Sequence, residues 1–584
     1  MRSALKAGLP LLLVWSSAHA AGVDLDIEGL NDEQREAVQS TLQLGEYRKR
    51  DVSPAELRAA YRVADEQVRQ ALEPFGYYDV QIDKSLTGDA NSGWKAKISV
   101  QPGEPAVVRR TQVEVVGEGK DQRRVKSAVE NFQPKEGARL DHATYEASKA
   151  VIETSLRGSG YLDAKPLQKR VTVRPEQNSA EVDLRYESGP RYKFGAVRFA
   201  GDAPFPDSFL DDFVPWRDGA WFNSEQVLNL QQRLVDADYF ELVSVQPAID
   251  EKKEGAVPID VLLKRDQRTV YSGEVYYSTD FGAGVRVGAQ RRWLNKKGHK
   301  ADVQVEYSQR LQEAALHYQI PRPSREDRSY DYGIAYRDET TDVARSRNFQ
   351  LAASRSEKRW HGFTRTIGLK YLVGDFQIGD DDDNPDFGSS KLLWAEGTLG
   401  RRRLNDRLAP RKGYVFDLGL RLASDALLAD TDIAQSWLRG TWLIPQGERS
   451  RFKLRGEVGA MSVGNFDALP PDLRFFAGGD RSIRGFDYHE IGEQNANGLV
   501  IGGKYLAVAS GEYEWYFTED WGAAVFIDAG DAFSDQFSVN VGAGVGARWR
   551  SPLGPIRLDI GFPVHTDREL ESTWRLHVQL GPDI

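Results

Sequence analysis

The chain reads ADVQVEYS at residues 301–308, and apolar and polar side chains alternate along the whole stretch. Successive side chains of a β-strand point to opposite faces, so this stretch predicts a strand with one apolar and one polar face. The same period of two begins just after Arg268, with YSGEVYYS at residues 271–278. It returns in residues 452–460, 556–562 and 574–580, and it therefore predicts strands throughout this half of the chain.

About sixteen such segments fill residues 268–584. Roughly twenty residues for each strand and its turn suit strands of about ten residues that cross a bilayer. The sequence thus predicts a transmembrane antiparallel β-barrel of about 16 strands. A soluble β-sandwich or propeller would also alternate in this way, but neither needs outward aromatic side chains at so many strand ends.

The amino-acid composition argues against two classes of protein, the helical membrane proteins and the nucleic-acid-binding proteins. Of the 584 residues 28% are charged, and the formal net charge is -10 at pH 7. No stretch offers the roughly 20 consecutive apolar residues that a transmembrane helix needs, so a helical membrane bundle is excluded. The acidic balance also argues against a nucleic-acid partner, which would normally face a basic surface.

The first twenty residues have the pattern of a secretion signal, residues 1–20. Arg2 and Lys6 precede an apolar stretch at residues 7–15, and Ala18-His19-Ala20 fits a cleavage site with small residues. We therefore expect the mature chain to begin at Ala21, outside the cytoplasm. The chain contains no cysteine, so we expect no disulfide framework.

Related units precede the predicted barrel. Each carries a similar mark after a helical pattern: GYYD at residues 76–79, GYLD at 160–163 and DYFE at 238–241. Each unit reads β-α-α-β-β, with boundaries expected at 21–104, 105–190 and 191–267, and the helix N-caps are predicted at Ser53, Asp141 and Ser224. The alternative is that these are three unrelated small α/β domains.

The longest interruption of the strand pattern covers residues 464–502 and contains FFAGGDRSIRGF at residues 475–486. Its paired aromatic residues and paired glycines argue against disorder. The period of two in the strands that follow directs Asp528 and Glu512 into the lumen. Arg484 is the predicted partner of these carboxylates, and Gly485 would let the backbone approach the wall closely. The alternative for Arg484 is a solvated loop charge.

At these residues the chain resembles the BamA/TamA superfamily of outer-membrane assembly and translocation barrels. Residues 475–486 are similar to the (V/I)RG(F/Y) loop motif of that superfamily. Residues 502–513 and 526–530 are similar to two further motifs on the strands after the loop, and the three repeated units resemble POTRA domains. Three POTRA units before sixteen strands are most similar to the TamA branch.

The resemblance implies a factor that inserts or secretes β-barrel and autotransporter-type clients through a seam between the first and last barrel strands. The implied loop latch consists of Arg484, Gly485, Phe486, Asp528 and Glu512. The implied lateral gate lies near residues 269–277 and 573–580 and includes Val275, Tyr277, Trp574, Leu576 and Val578.

The implied partners are a TamB-like inner-membrane-anchored periplasmic protein, unfolded outer-membrane protein clients and outer-membrane lipid. We expect the barrel in the outer membrane and the POTRA domains in the periplasm. The alternative function is a passive pore or a two-partner-type polypeptide secretion channel. We expect no enzymatic activity, no cofactor and no metal site, and the acidic residues 380–386 are interpreted as a solvated loop because they lack the pattern of a calcium loop.

Overall fold

The structure of the chain is a computed structural model. It describes residues 23–47, 53–89, 93–323, 328–358, 362–379, 385–406, 410–551, 554–570 and 572–581. The predicted secretion signal lies outside the described residues, and so do residues 380–384 of the acidic segment. Two compact units are present: Met1–Ala196 with Trp216–Leu228 and Gln246–Ile259, and Val197–Pro215 with Asn229–Val245 and Asp260–Ile584.

The first repeated unit folds around a three-stranded sheet with the order β1-β3-β2. Its long helix begins after Ser53, whose hydroxyl accepts a hydrogen bond from the Glu56 N–H at 3.2 Å, as predicted for an N-cap. Leu57 and Val68 on one face of this helix are fully buried in the core of the unit. The elements are β1 (Val23–Glu28), α1 (Asp32–Thr41), α2 (Gln43–Glu46), α3 (Pro54–Leu72), β2 (Gln81–Asp89) and β3 (Gly93–Gln101).

The second repeated unit has the same arrangement, with the sheet order β4-β6-β5. Asp141 caps its second helix by accepting a hydrogen bond from the Thr144 N–H at 2.8 Å, which confirms this predicted N-cap. Its elements are β4 (Val107–Val116), α4 (Arg123–Glu130), α5 (His142–Gly158), β5 (Lys165–Arg174) and β6 (Ser179–Glu187).

The third sheet has the order β7-β9-β8, so the predicted β-α-α-β-β arrangement is confirmed. The prediction of Ser224 as an N-cap is wrong, because Ser224 is the first helical residue and the Asn223 side chain accepts a hydrogen bond from the Glu225 N–H at 2.8 Å. The elements are β7 (Lys193–Gly201), α6 (Asp207–Leu210), α7 (Ser224–Asp236), β8 (Phe240–Pro247) and β9 (Ala256–Arg265). In the part of the chain that the structure describes, no helix has the length and apolar character needed to cross a membrane.

Sixteen antiparallel strands then close into a barrel, as the sequence predicts. Each strand pairs with the next one along the chain, and the last returns to the first. The strands are β10 (Thr269–Ser278), β11 (Gly282–Arg291), β12 (Lys300–Ser308), β13 (Leu311–Arg322), β14 (Arg328–Thr340), β15 (Ala344–Lys358), β16 (Thr364–Ile378), β17 (Asp386–Leu404), β18 (Gly413–Ala423), β19 (Ile433–Gln446), β20 (Ser450–Val463), β21 (Tyr505–Tyr516), β22 (Trp521–Phe533), β23 (Asn540–Ser551), β24 (Gly554–His565) and β25 (Arg575–Leu580).

The two faces of the strands differ in the way the alternation predicts. Val525 and Ile527 of β22 are more than half exposed on the outside, where they meet lipid. Phe526 and Asp528, which alternate with them along the strand, point inward and are buried. The charged inner face therefore needs partners inside the barrel, and the long loop between β20 and β21 supplies them.

A cluster of aromatic rings packs against the end of the barrel at which β10 begins, within the second compact unit. The Tyr239 hydroxyl donates a hydrogen bond to the Gly298 carbonyl at 2.6 Å, in the turn between β11 and β12. Phe205 lies against Tyr239, with ring centroids 4.7 Å apart, and Phe209 is close enough to Gly298 that a side chain there would overlap its ring. The aromatic cluster therefore contacts the barrel at the turn between β11 and β12.

Candidate functional site: the lumen loop and the seam

The loop between β20 and β21 is folded into the lumen of the barrel. Its residues Ala477, Ile483 and Phe486 are fully buried. They belong to one apolar cluster that also contains Leu392 and Trp394 of the barrel wall. The loop is therefore packed against the inner wall of the barrel.

Arg484 sits at the tip of this loop and contacts three inward-facing carboxylates. Its guanidinium group binds Asp528 in a bidentate manner, with Nε at 2.8 Å from Oδ2 and Nη2 at 3.1 Å from Oδ1. The Arg484 backbone N–H donates to the same Oδ2 atom at 3.0 Å. Nη1 reaches Glu512 at 2.7 Å and Asp559 at 3.1 Å. One loop residue thus joins β21, β22 and β24.

A second guanidinium group completes this charge network. Arg548 of β23 donates to Glu512 at 2.6 Å and to Asp559 at 2.6 Å, so both acids are shared between two arginines. The side chains of all these residues are at most 7% exposed. Arg484 also lies over the ring of Phe526, at 3.5 Å from its centroid. Removing one partner from such a buried set leaves uncompensated charge, which costs about 3–5 kcal/mol.

Glycines allow the loop tip to reach the wall. Gly485 has a φ of 101°, a conformation that side chains strongly disfavour, and a Cβ there would lie 3.0 Å from the carbonyl carbon of Phe562. A Cβ at Gly542 would overlap the carbonyl oxygen of Arg484. The pairing of Arg484 with its carboxylates therefore depends on backbone-to-backbone contact that only glycine permits.

The seam between the first and last strands is joined by much less backbone pairing than its neighbours. All six residues of β25 pair with β24. Among the described residues, a single pair, Ser278 with Gln579, joins β25 to β10. The Thr279 N–H also donates to the Val578 carbonyl at 3.2 Å. The remainder of β10 has no ladder partner on this side in the described chain.

Side chains from the loop bridge this seam. The Asp480 Oδ1 atom accepts hydrogen bonds from the Thr279 hydroxyl at 2.6 Å and from His577 Nδ1 at 2.8 Å. The Gly485 N–H donates to His577 Nε2 at 2.9 Å. The loop therefore touches the end of the first strand and the middle of the last strand at once.

The structure brings together the residues predicted for the loop latch. Arg484, Asp528 and Glu512 are in direct contact, Gly485 follows at the wall, and Phe486 is fully buried beside them.

The residues predicted for the lateral gate lie on the seam strands or next to them. Val578 is hydrogen-bonded across the seam to Thr279, whereas among the described residues the other four have no ladder partner there. Val275 and Tyr277 of β10 are exposed on the lipid-facing side. Leu576 and Val578 of β25 pair with β24, and Trp574 precedes β25.

Sequence reasoning missed four residues of this site: Arg548, Asp559, Asp480 and His577. The period of two in β23 and β24 could have directed Arg548 and Asp559 into the lumen. No local pattern indicates the contact between Asp480 and His577, because they are distant in the sequence and meet through the path of the loop.

Comparisons with known proteins agree with this architecture. Residues 294–584 match the family model of the Omp85 superfamily domain. Residues 24–102 match the model of the POTRA domain described as TamA domain 1, and residues 192–264 match a POTRA model described as a surface antigen variable number repeat. The chain is an Omp85 superfamily protein with POTRA domains. The outer-membrane location predicted for the barrel is thereby confirmed, and the family supports the prediction that the protein is not an enzyme.

Individual proteins that match the chain share only a small part of its sequence. The outer membrane protein assembly factor BamA of Nitratidesulfovibrio vulgaris is 25% identical over 422 residues, which cover 68% of this chain and 52% of that protein. The chain thus spans about half the length of this curated relative.

Solved structures share the fold. A crystal structure of BamA from Haemophilus ducreyi lacking POTRA domains 1–3 matches with a TM-score of 0.64 and 16% identity, over 82% of this chain and 99% of that one. CdiB from Escherichia coli matches with a TM-score of 0.51 and 13% identity, over 95% and 99%. At such low identity these likenesses concern the fold alone.

Proposed function

We propose that this protein assembles or secretes outer-membrane clients of the β-barrel and autotransporter type through the seam between β10 and β25. The observation that carries the proposal is the single ladder pair that joins these strands among the described residues. The match of residues 24–102 to a TamA-type POTRA model supports the TamA branch of the superfamily.

The physical reason lies in the seam-facing edge of β10, which is mostly unpaired among the described residues. In a bilayer an unsatisfied backbone N–H or C=O group costs several kcal/mol, so the edge gains free energy from any strand that pairs with it. A client strand can supply these hydrogen bonds by strand addition, one at a time, without a nucleotide or another source of energy. The barrel thereby lowers the barrier to insertion for a strand that would otherwise enter lipid unpaired.

The lumen loop has a separate role in this mechanism. Arg484 holds the loop against β21, β22 and β24, which are on the β25 side of the seam. Asp480, four residues earlier, contacts Thr279 and His577 on the two seam strands. The anchored loop thus keeps the seam in register when it is closed and leaves few bonds to break when it opens.

The client role can be tested by the proteins that depend on this chain. After depletion in cells, quantitative proteomics of the outer membrane should show the selective loss of a set of β-barrel or autotransporter proteins, restored by the wild-type chain. A passive pore or secretion channel predicts a loss of secreted substrate with an unchanged set of integral outer-membrane proteins. That second result would contradict the proposed function.

The partner can be tested by deletion. We propose that a TamB-like inner-membrane-anchored periplasmic protein docks on the first POTRA domain, because this domain is farthest along the chain from the barrel. Deleting residues 21–101 should abolish capture of the partner from solubilised envelopes while the barrel still folds. Capture that survives this deletion, and fails on deletion of the third POTRA domain instead, would contradict this assignment.

A further inference from the structure

Two carboxylates lie side by side at the outer end of the seam. Asp280 is in the turn after β10 and is 7% exposed, and the Asp480 side chain in the loop is 5% exposed. The Asp480 N–H donates to both carboxylate oxygens of Asp280 at 3.2 Å. One carboxylate oxygen of Asp280, one of Asp480 and one ring nitrogen of His577 lie within 4.8 Å of one another. The acid pair thus bridges the first hairpin and the loop.

Cationic side chains compensate this acid pair only in part, because Arg481 lines the same cavity but forms no ion pair with Asp280 or Asp480. Among the described residues, no lysine or arginine lies within ion-pair distance of Asp280 or Asp480, and the one recorded pairing of Asp480 is with His577. Asp480 Oδ2 is buried and has no hydrogen-bond partner. Burying two carboxylates with so little compensating charge is costly, so the pair favours either a bound cation or a proton shared by the two acids.

The hydrogen bonds of His577 decide what kind of occupant fits. The Gly485 N–H donates to Nε2, so Nε2 carries no proton, and Nδ1 must be the protonated nitrogen that donates to Asp480 Oδ1. With both nitrogens engaged, His577 orients Asp480 and is not itself a ligand. The available ligand atoms are therefore carboxylate oxygens, which favour hard cations such as Ca²⁺ and Mg²⁺ over zinc.

The surroundings leave room for the water that such a cation keeps. A cavity of about 300 Å³ is lined by Asp280 and Asp480. Its other carboxylates are already paired: Glu274 and Glu306 with Arg286 at 2.8 Å each, and Glu313 with Arg337 at 2.8 Å. Among the described residues that line this cavity, Asp280 and Asp480 are therefore the carboxylates without an ion pair to arginine, although Arg481 also lines it.

We propose that Asp280 and Asp480 bind one hard divalent cation, of the Ca²⁺ or Mg²⁺ type, with water completing its coordination. The bound cation joins the turn after β10 to the lumen loop, and His577 extends this connection to β25 through Asp480. Binding therefore stabilises the closed seam, and removal of the cation loosens it. The cation site itself does not depend on the proposed client function.

Calorimetric titration of the purified full-length chain with CaCl₂, after treatment with a chelator, tests the site. We expect one Ca²⁺ to bind per chain. Asp280→Asn and Asp480→Asn should each weaken binding about tenfold or more, because each removes one of the two carboxylate ligands. Asp487→Asn is the matched control, because this loop carboxylate pairs directly with Arg575 at 2.7 Å and needs no cation.

A second measurement needs no variant. The unfolding temperature of the wild-type barrel can be followed by its change of mobility in gel electrophoresis after heating. This temperature should rise when Ca²⁺ is added and fall when a chelator is added. Failure of the wild-type chain to bind Ca²⁺, and Mg²⁺ in a parallel titration with MgCl₂, at millimolar concentration would overturn the site in favour of a proton shared by the two acids. Equal binding by the wild type and by all three variants would overturn it in favour of an adventitious ion elsewhere.

Discussion

The wall between β16 and β17 and the seam between β10 and β25 belong to one barrel but are held together in different ways. All 15 residues of β16 pair with β17, so this wall is a continuous ladder. At the seam one ladder pair is present among the described residues, and the contacts of Asp480 with Thr279 and His577 supplement it. The wall is held together by backbone hydrogen bonds, whereas the seam depends mainly on hydrogen bonds from side chains of the lumen loop.

This difference has a consequence for opening. Separating β16 from β17 would expose a long row of unpaired backbone groups on both strands, which lipid cannot satisfy. Separating β10 from β25 breaks few backbone bonds, and the side chains of Thr279 and His577 can still face the polar lumen. The proposed opening therefore costs the least free energy at the seam between β10 and β25.

Hydrogen exchange should show this difference most strongly. The seam-facing amides of β10 should exchange about 100-fold or more faster than the amides of β16, because local opening there requires far less free energy. Exchange measured by mass spectrometry on the detergent-solubilised chain resolves the two strands. Equal protection of β10 and β16 would show that the seam is no weaker than the wall.

Loss of the contact between Arg484 and Asp528 should have the next largest effect. Arg484→Ala or Asp528→Ala should reduce client assembly about tenfold or more, because each removes the buried bidentate contact that holds the loop tip against β22. The double variant should be little worse than either single variant, since both residues act through one contact. The measurement is the folded fraction of a client in reconstituted vesicles.

The matched control is Arg439→Ala, which removes a guanidinium group that binds Glu457 at 2.6 Å across the neighbouring wall strands β19 and β20. This variant should keep most of the client assembly. Fully additive losses for Arg484→Ala and Asp528→Ala would contradict the single contact.

The smallest effect is expected at the rim of the seam. Asp487 pairs with Arg575 of the last strand at 2.7 Å, but the two side chains are 41% and 23% exposed. An exposed ion pair of this kind contributes about 0–1 kcal/mol. Asp487→Asn should therefore change client assembly by less than about twofold in the same vesicle assay. If Asp487→Asn reduced client assembly as much as Arg484→Ala, the main contact of the loop would be the Asp487–Arg575 pair and not the Arg484–Asp528 pair.

The sequence was sufficient for features that follow from a local period. The period of two predicts the barrel strands and sends Asp528 and Glu512 inward, and the helical period predicts the buried face of α3. The period does not set the register between strands, so the single pairing of Ser278 with Gln579 could not be read from it. The Asp480–His577 contact depends on the course of a long loop, which no periodicity encodes. The N-cap of α7 was misplaced by one residue because Asn223 and Ser224 are both good capping residues.

Locking the seam tests the central claim most directly. The chain contains no cysteine, and Ser278 lies opposite Gln579, so Ser278→Cys with Gln579→Cys places two thiols across the seam. Val305→Cys with Ala314→Cys is the matched pair across β12 and β13. Oxidation should stop client assembly in the seam pair, reduction should restore it, and the wall pair should be unaffected by either treatment. Undiminished client assembly with a fully oxidised seam would contradict lateral opening and favour a passive channel.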